Sequence, residues 1–221
     1  MNLLIADTIY PITLVGGARA LPKVVEHALN YAPNLFAADG GAKTAVDLGH
    51  IPEVVIGDFD SIDKATIAQI PKQHLHRVSE QDSTDFEKSL RLISAPLILA
   101  VGFTGGRLDH ELAVYNALLR YVDKPCVVVG DVDLCFVAPL SMQLSLPKNT
   151  RVGLFAFQEC TVTAKGLRWP LDQATLAPDG LMSCSNEISG GELSLQVSSQ
   201  KLLVILPRAC LGAVVQVFLP T

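Results

Sequence analysis

No apolar run in the 221-residue sequence approaches the roughly 18 to 20 residues that cross a bilayer, so no membrane segment is expected. The apolar opening stretch MNLLIADTIYPITLVGG lacks a basic flank and is interrupted by Asp7 and Pro11, so it does not read as a signal peptide. Cysteine is sparse: five residues, odd in number, widely spaced and without a C-x-x-C pair. That pattern argues against both a disulfide framework and a cysteine zinc site, and reads as small buried hydrophobes of a cytoplasmic protein. Positive charge is also short. The net charge is −5, and residues 1–140 carry 17 acidic against 11 basic side chains. Such an acidic domain is a poor match for the phosphate backbone of nucleic acid, which calls for basic patches. It suits a metal ion or a cationic ligand. There is no G-x-G-x-x-G after the first strand either, since LVGGARA is not one, so a conventional dinucleotide-binding fold fits poorly.

What the chain does have is apolar material, 49% against 18% charged, enough for a sizeable core. Over the first 140 residues, short apolar runs alternate with helical patterns. Ile12–Val15, Leu35–Ala38, Val54–Ile56, Leu97–Val101 and Cys126–Val129 read as strands; Leu21–Tyr31, Ala42–Leu48, Thr84–Ile93 and Leu108–Tyr121 read as helices. Continuously apolar strands separated by helices predict a mostly parallel sheet with helices on both faces. After residue 140 no long helical pattern survives. Short segments such as Val152–Phe157, Glu192–Val197 and Lys201–Leu206, separated by Pro, Gly, Asn and Ser, predict a small all-β sandwich. The expected organisation is therefore an α/β domain over residues 1–140 and a β-sandwich over residues 141–221.

Four polar clusters follow strands of the first domain. In LFAADGGAK, Asp39 ends a strand and Gly40-Gly41 follow, allowing close backbone approach to a phosphate or simply a tight turn. In VIGDFDS, Asp58 and Asp60 stand two apart, facing the same way along an extended chain. They must repel each other unless solvated or bridged by a hard cation. Ser61 is positioned to cap the next helix, with Asp63 in its first turn. In SEQDSTDFEKSL, Thr84 and Glu87 have capping-box spacing, and Asp85 and Lys88 are neighbours on one helical face. Asp82, Asp85 and Glu87 together are more charge than a cap needs. In VGFTGGRLDHELA, glycines precede Arg107, suited to paired hydrogen bonds with phosphate oxygens; Asp109 can cap the helix or orient Arg107, and His110 follows. Each cluster alone is explicable as loop chemistry. Parallel strands, however, bring all four to one sheet edge, where ligands of such folds bind.

Together these stretches resemble thiamine pyrophosphokinase: Ala38–Ala42, Gly57–Ser61, Asp82–Lys88 and Gly105–His110 match four motifs of that family in order. In the second domain, KGLRWPL at 165–171 and GLMSCSNEISGG at 180–191 resemble its thiamine-side segments. One departure is Lys43, where family members often carry Asn. The resemblance implies transfer of pyrophosphate from ATP to the hydroxyethyl group of thiamine, giving thiamine diphosphate and AMP. It implies Mg²⁺ as cofactor and a homodimer with active sites between subunits. By matching position, Asp58, Asp60 and Asp85 would hold the metal. Asp39, Gly40, Gly41, Thr84, Arg107, Asp109 and His110 would lie at or near the nucleotide, with Lys88 toward its phosphates. Gln81 is a candidate on the thiamine side, and Trp169, Ser183 and Asn186 would contact thiamine, Trp169 offering a ring face to a flat cation.

ATP brings about four negative charges, so carboxylates can face it only through a bridging dication. By the resemblance, Asp58, Asp60, Asp85, Lys88 and Asp109 are the expected catalytic group, with the proton acceptor among the aspartates left open. Three rival readings stand beside this one: a pyrophosphokinase with the same ATP apparatus acting on another alcohol, such as a hydroxymethylpterin, against which the Trp169 and Ser183/Asn186 segments favour thiamine; a Mg²⁺-dependent hydrolase of nucleotides or diphosphate esters; and a nucleotide-binding module without turnover.

Overall fold

The computed structural model describes residues 4–219, so the first three residues of the apolar N-terminal stretch lie outside it. The chain divides between Asp131 and Val132 into two compact units.

The first unit opens with a two-residue strand, β1 (Ala6–Asp7), which pairs in parallel with β6 (Ile93–Ser94). Its main sheet is built from β2 (Ile12–Val15), β3 (Asn34–Ala38), β4 (Val54–Gly57), β5 (Leu75–Arg77), β7 (Ile98–Val101) and β8 (Cys126–Val129). All five pairings are parallel, and the order is β8-β7-β2-β3-β4-β5. Every residue of β2, β7 and β8 is buried, as expected for central strands covered on both faces. The covering helices are α1 (Pro22–Leu29), α2 (Gly41–Asp47), α3 (Lys64–Gln69), α4 (Asp85–Leu92) and α5 (Leu108–Arg120). In α1, Pro22 stands at the first helical turn, where its missing N–H is not needed, and Val24, Val25 and Ala28 form the buried face. In α4 the buried face is Phe86, Ser89 and Leu90, with Lys88 buried beside it.

The second unit starts at β9 (Asp133–Val137), so the chain divides before the change of texture near residue 140. It continues with β10 (Ser141–Ser145), β11 (Arg151–Ala156), β12 (Cys160–Lys165), β13 (Leu171–Leu176), β14 (Ser183–Glu187), β15 (Glu192–Val197) and β16 (Leu202–Pro207). These strands pair antiparallel in the orders β14-β11-β16-β9 and β10-β15-β12-β13. Alternating burial along β10, β12 and β15 puts Met142, Leu144, Val162, Ala164, Leu193 and Leu195 inside.

Three local expectations are corrected. The helix after VIGDFDS is capped by Asp63, not Ser61: Asp63 Oδ1 accepts from the Thr66 N–H at 2.9 Å and Oδ2 from the Thr66 hydroxyl at 3.0 Å. Ser61 instead donates to Asp60 Oδ1 at 2.9 Å. The capping box at Thr84 is half realised. Thr84 Oγ1 accepts from the Glu87 N–H at 3.2 Å, but the Glu87 carboxylate binds Arg120 at 2.8 Å and the Tyr121 hydroxyl at 3.1 Å. Finally, a helix does survive after residue 140: α6 (Leu211–Phe218) buries Leu211 and Val214 and sets Phe218 edge-on to Phe136. Its sequence LGAVVQVF is apolar nearly throughout and carries no polar stripe to reveal a helical period.

Candidate active site

The strand order reverses at β2: β3, β4 and β5 extend to one side and β7 and β8 to the other. In a parallel sheet the crevice outside the carboxyl ends at such a point is where ligands bind. Here the exits of β2 and β7 are packed backbone to backbone. The Gly16 N–H donates to the Val101 carbonyl at 2.8 Å, and the Ala18 N–H to the Gly102 carbonyl at 2.9 Å. On the other side of β2, a Cβ added to Gly41 would stand 2.0 Å from the Val15 carbonyl oxygen. Glycine at the start of α2 therefore lets the helix approach the end of β2.

The carboxyl edge next to this crevice is strongly acidic. The register Ala38↔Ile56 sets the ends of β3 and β4 side by side, with Asp39 beyond one and Asp58 beyond the other. Asp39 has the positive φ of 40°, is 4% exposed, and its Oδ1 accepts from the Phe59 N–H at 2.9 Å. Phe59 also has a positive φ, 67°, which folds the chain so that Asp58 and Asp60 both return toward Asp39. Carboxylate oxygens of Asp39, Asp58 and Asp60 lie within 4.8 Å of one another. Asp58 is held further by Gln81, whose Nε2 donates to Oδ2 at 2.8 Å, and by the Asp60 N–H at 3.1 Å from Oδ1. The Gln81 amide, followed by that N–H, holds the Asp58 carboxyl below the usual carboxylate range. Three hard oxygen donors converging from two adjacent strand ends fit a divalent cation of the Mg²⁺ type.

Asp85 is not one of those three, whereas sequence reasoning grouped it with Asp58 and Asp60. It starts α4 and accepts from the buried Lys88 Nζ at 3.2 Å. Burial raises its pKa, opposed by the Lys88 ammonium and reinforced by the negative charges of Asp39 and Asp58. A cavity of about 700 Å³ runs from this acidic edge across the switch point. Its walls include Gly17, Asp39, Gly40, Thr84, Asp85, Gly102, Arg107 and His110. At its far side Arg107 forks onto Asp109, Nη2–Oδ2 at 2.6 Å and Nε–Oδ1 at 3.2 Å, both side chains well exposed. Asp109 thus orients Arg107 and does not cap α5. Sequence reasoning missed Phe103, which lines the cavity and packs on Phe86 at 4.7 Å between ring centres. Its place inside a run of glycines was the available sign. Lys43 also lines the cavity, but its Nζ is engaged by Asp47 at 2.7 Å.

The second unit has a pocket of its own, about 220 Å³, lined by Trp169, Leu171, Leu181, Met182, Ser183, Cys184 and Asn186. Trp169 is 55% exposed and is not a core residue. Asn186 is buried and braces the pocket: Oδ1 accepts from the Trp169 N–H at 3.2 Å, while Nδ2 donates to the Trp169 carbonyl at 2.8 Å and to Ser183 Oγ at 3.2 Å. The three candidates from two separate sequence stretches therefore share one concave surface. The flanking Leu171, Leu181, Met182 and Cys184 belong to the same two segments, which sequence reasoning marked without singling out these residues.

Comparison with known proteins gives a consistent picture. Residues 25–130 match the family model "Thiamin pyrophosphokinase, catalytic domain" and residues 140–204 the model "Thiamin pyrophosphokinase, vitamin B1 binding domain", together most of the chain. Thiamin pyrophosphokinase 1 of Caenorhabditis elegans is 27% identical, with 88% of this chain and 87% of that protein covered. Thiamine pyrophosphokinase of Bacillus subtilis is 29% identical, with 69% of this chain and 77% of that protein covered. Among solved structures, thiamin pyrophosphokinase from Candida albicans superposes with a TM-score of 0.78 over 90% of this chain and 89% of its own, at 17% identity, a likeness of fold. The Geobacillus thermodenitrificans structure gives a TM-score of 0.76 at 25% identity, covering 89% of this chain and 96% of its own.

Proposed function

The chain belongs to the thiamine pyrophosphokinase family, and from that premise we propose that it transfers pyrophosphate from ATP to the hydroxyethyl oxygen of thiamine by in-line attack at the β-phosphorus, releasing AMP. The observation that carries this reading is the convergence of Asp39, Asp58 and Asp60 beside a nucleotide-sized cavity at the sheet switch point. In it, Asp39, Asp58 and Asp60 hold the Mg²⁺, with Asp85 alongside. When bound, the ion supplies charge neutralisation for the ATP phosphates. Phosphoryl-type transfer depends mainly on positioning and charge balance, and the chain's own groups fit those tasks. Arg107 offers a cationic donor toward phosphate oxygens, Gly40 and Gly102 allow backbone approach from the cavity wall, and Lys88, buried against Asp85, backs the acidic edge. Gln81 orients the Asp58 carboxylate by donating to its Oδ2. Thr84 and His110 complete the nucleotide wall.

Thiamine binds the second-unit pocket, where the Trp169 ring takes a flat cationic partner and Ser183 and Asn186 give it a polar edge. The working form is a homodimer in which catalytic sites are shared between subunits, supported by the family membership and by a substrate pocket carried on a separate compact unit. Among the described residues no helix is long and apolar enough to cross a membrane. Four of the five cysteines are buried, which supports a cytoplasmic setting.

The test is an assay of purified protein with ATP, Mg²⁺ and thiamine, following AMP and thiamine diphosphate by chromatography. Equal, thiamine-dependent formation of both is expected. AMP with free pyrophosphate and no need for thiamine would make the protein a hydrolase. ATP binding without turnover at any thiamine concentration would make it a binding module. Turnover with another alcohol only would move the specificity away from Trp169.

A further inference from the structure

Trp169 is exposed but not loose. The two-residue segment Arg168-Trp169 is tied to β14 by the Arg168 N–H donating to the Glu187 carbonyl at 2.8 Å and by the two hydrogen bonds with Asn186. Above the indole lies a further element that sequence reasoning did not use. The Arg168 guanidinium sits over the Trp169 ring, 4.8 Å from its centroid, and its Nη1 donates to Glu187 Oε1 at 2.7 Å. Arg168 is not among the residues lining the pocket, whereas Trp169 is. Trp169 thus meets a protein cation over its ring and also lines the concavity, which Arg168 does not.

We propose that Arg168 is a positioning residue for the acceptor substrate, clamping Trp169 from behind so that one ring face alone is presented to a flat cation, with Glu187 holding and neutralising the clamp. This rests on the thiamine reading of the pocket. The physical reasoning has two parts. A planar guanidinium stacked on an aromatic ring restricts ring rotation at small entropic cost, because its own orientation is fixed by a carboxylate. An uncompensated cation on the rear face would weaken the ring's attraction for a second cation in front; the Glu187 carboxylate offsets that charge. The Arg168 and Glu187 side chains are 61% and 28% exposed, so the pair is worth little to global stability.

Trp169 is the chain's only tryptophan, so its emission reports on this site alone. The experiment compares wild type, Arg168→Ala, Arg168→Lys, Glu187→Gln and Trp169→Ala by acrylamide quenching of the unliganded protein and by steady-state kinetics in both substrates. Arg168→Ala is expected to increase quenching and to raise the thiamine KM about two- to fivefold, the size of one exposed cation–π contact. The kcat and the ATP KM stay at wild-type values. Arg168→Lys restores part of the effect, and Glu187→Gln raises the thiamine KM with quenching between the two. If Trp169→Ala raises the thiamine KM but Arg168→Ala leaves it unchanged, the clamp is overturned and the pocket assignment stands. If neither variant changes the thiamine KM, the pocket assignment itself falls, and the clamp with it.

Discussion

Asn186 grips Trp169 by its backbone from two sides, accepting from its N–H at 3.2 Å and donating to its carbonyl at 2.8 Å. The two residues are 17 apart in sequence and on different segments of the second unit, and the amide is 3% exposed. Asn186→Ala leaves the Trp169 backbone groups and Ser183 without this partner. A loss of about 1–3 kcal/mol in urea unfolding is expected, together with a raised thiamine KM. Unchanged stability would mean that water replaces the amide at no cost.

Asp58→Asn and Asp60→Asn each remove one charged oxygen from the cluster with Asp39. We expect at least about a tenfold rise in the Mg²⁺ concentration for half-maximal activity, the scale on which changes in a metal's surroundings act. The check is a Mg²⁺ titration at saturating ATP and thiamine. Wild-type dependence in both variants would remove the metal from these residues.

Gln81→Ala takes away the donor that holds Asp58 Oδ2 at 2.8 Å. The Asp58 pKa then moves up toward its ordinary value, since the Gln81 amide is the first cause of its depression. At neutral pH the carboxylate remains ionised, so the expected defect is one of orientation. Metal affinity falls by about ten- to a hundredfold, with no new acidic limb in the pH profile between pH 6 and about pH 8.

Trp169→Ala removes the ring face from the second pocket. An increase in the thiamine KM of about tenfold or more is expected from the loss of a partly desolvated cation–π contact. The ATP KM serves as the control and should move far less. Equal increases for both substrates would argue for general damage to the fold.

Gly41→Ala brings a Cβ to 2.0 Å from the Val15 carbonyl oxygen, a backbone atom in a fully buried strand that cannot swing aside. A destabilisation of about 3 kcal/mol or more is expected, read as a lower thermal midpoint and weaker ATP binding. A variant as stable as wild type would show that α2 can slide away from β2.

The sequence by itself determined what local periodicity and local capping decide. Ile12–Val15 and Cys126–Val129 are strands with the predicted bounds because continuous apolar runs between helical patterns have one stable use, the middle of a covered parallel sheet. Thr84 caps α4 because a hydroxyl there meets an otherwise unpaired N–H within the same turn. The four polar clusters were legible because parallel strands send their exits to one edge. Tertiary structure decided which groups at that edge meet. Asp39 joins Asp58 and Asp60 through strand register and two residues of positive φ. Glu87 leaves the cap for Tyr121, 34 residues on, and Asn186 reaches back to Trp169. Such contacts depend on the packing of distant segments: a side chain's choice among partners turns on tenths of an ångström and fractions of a kcal/mol, which no sequence spacing encodes.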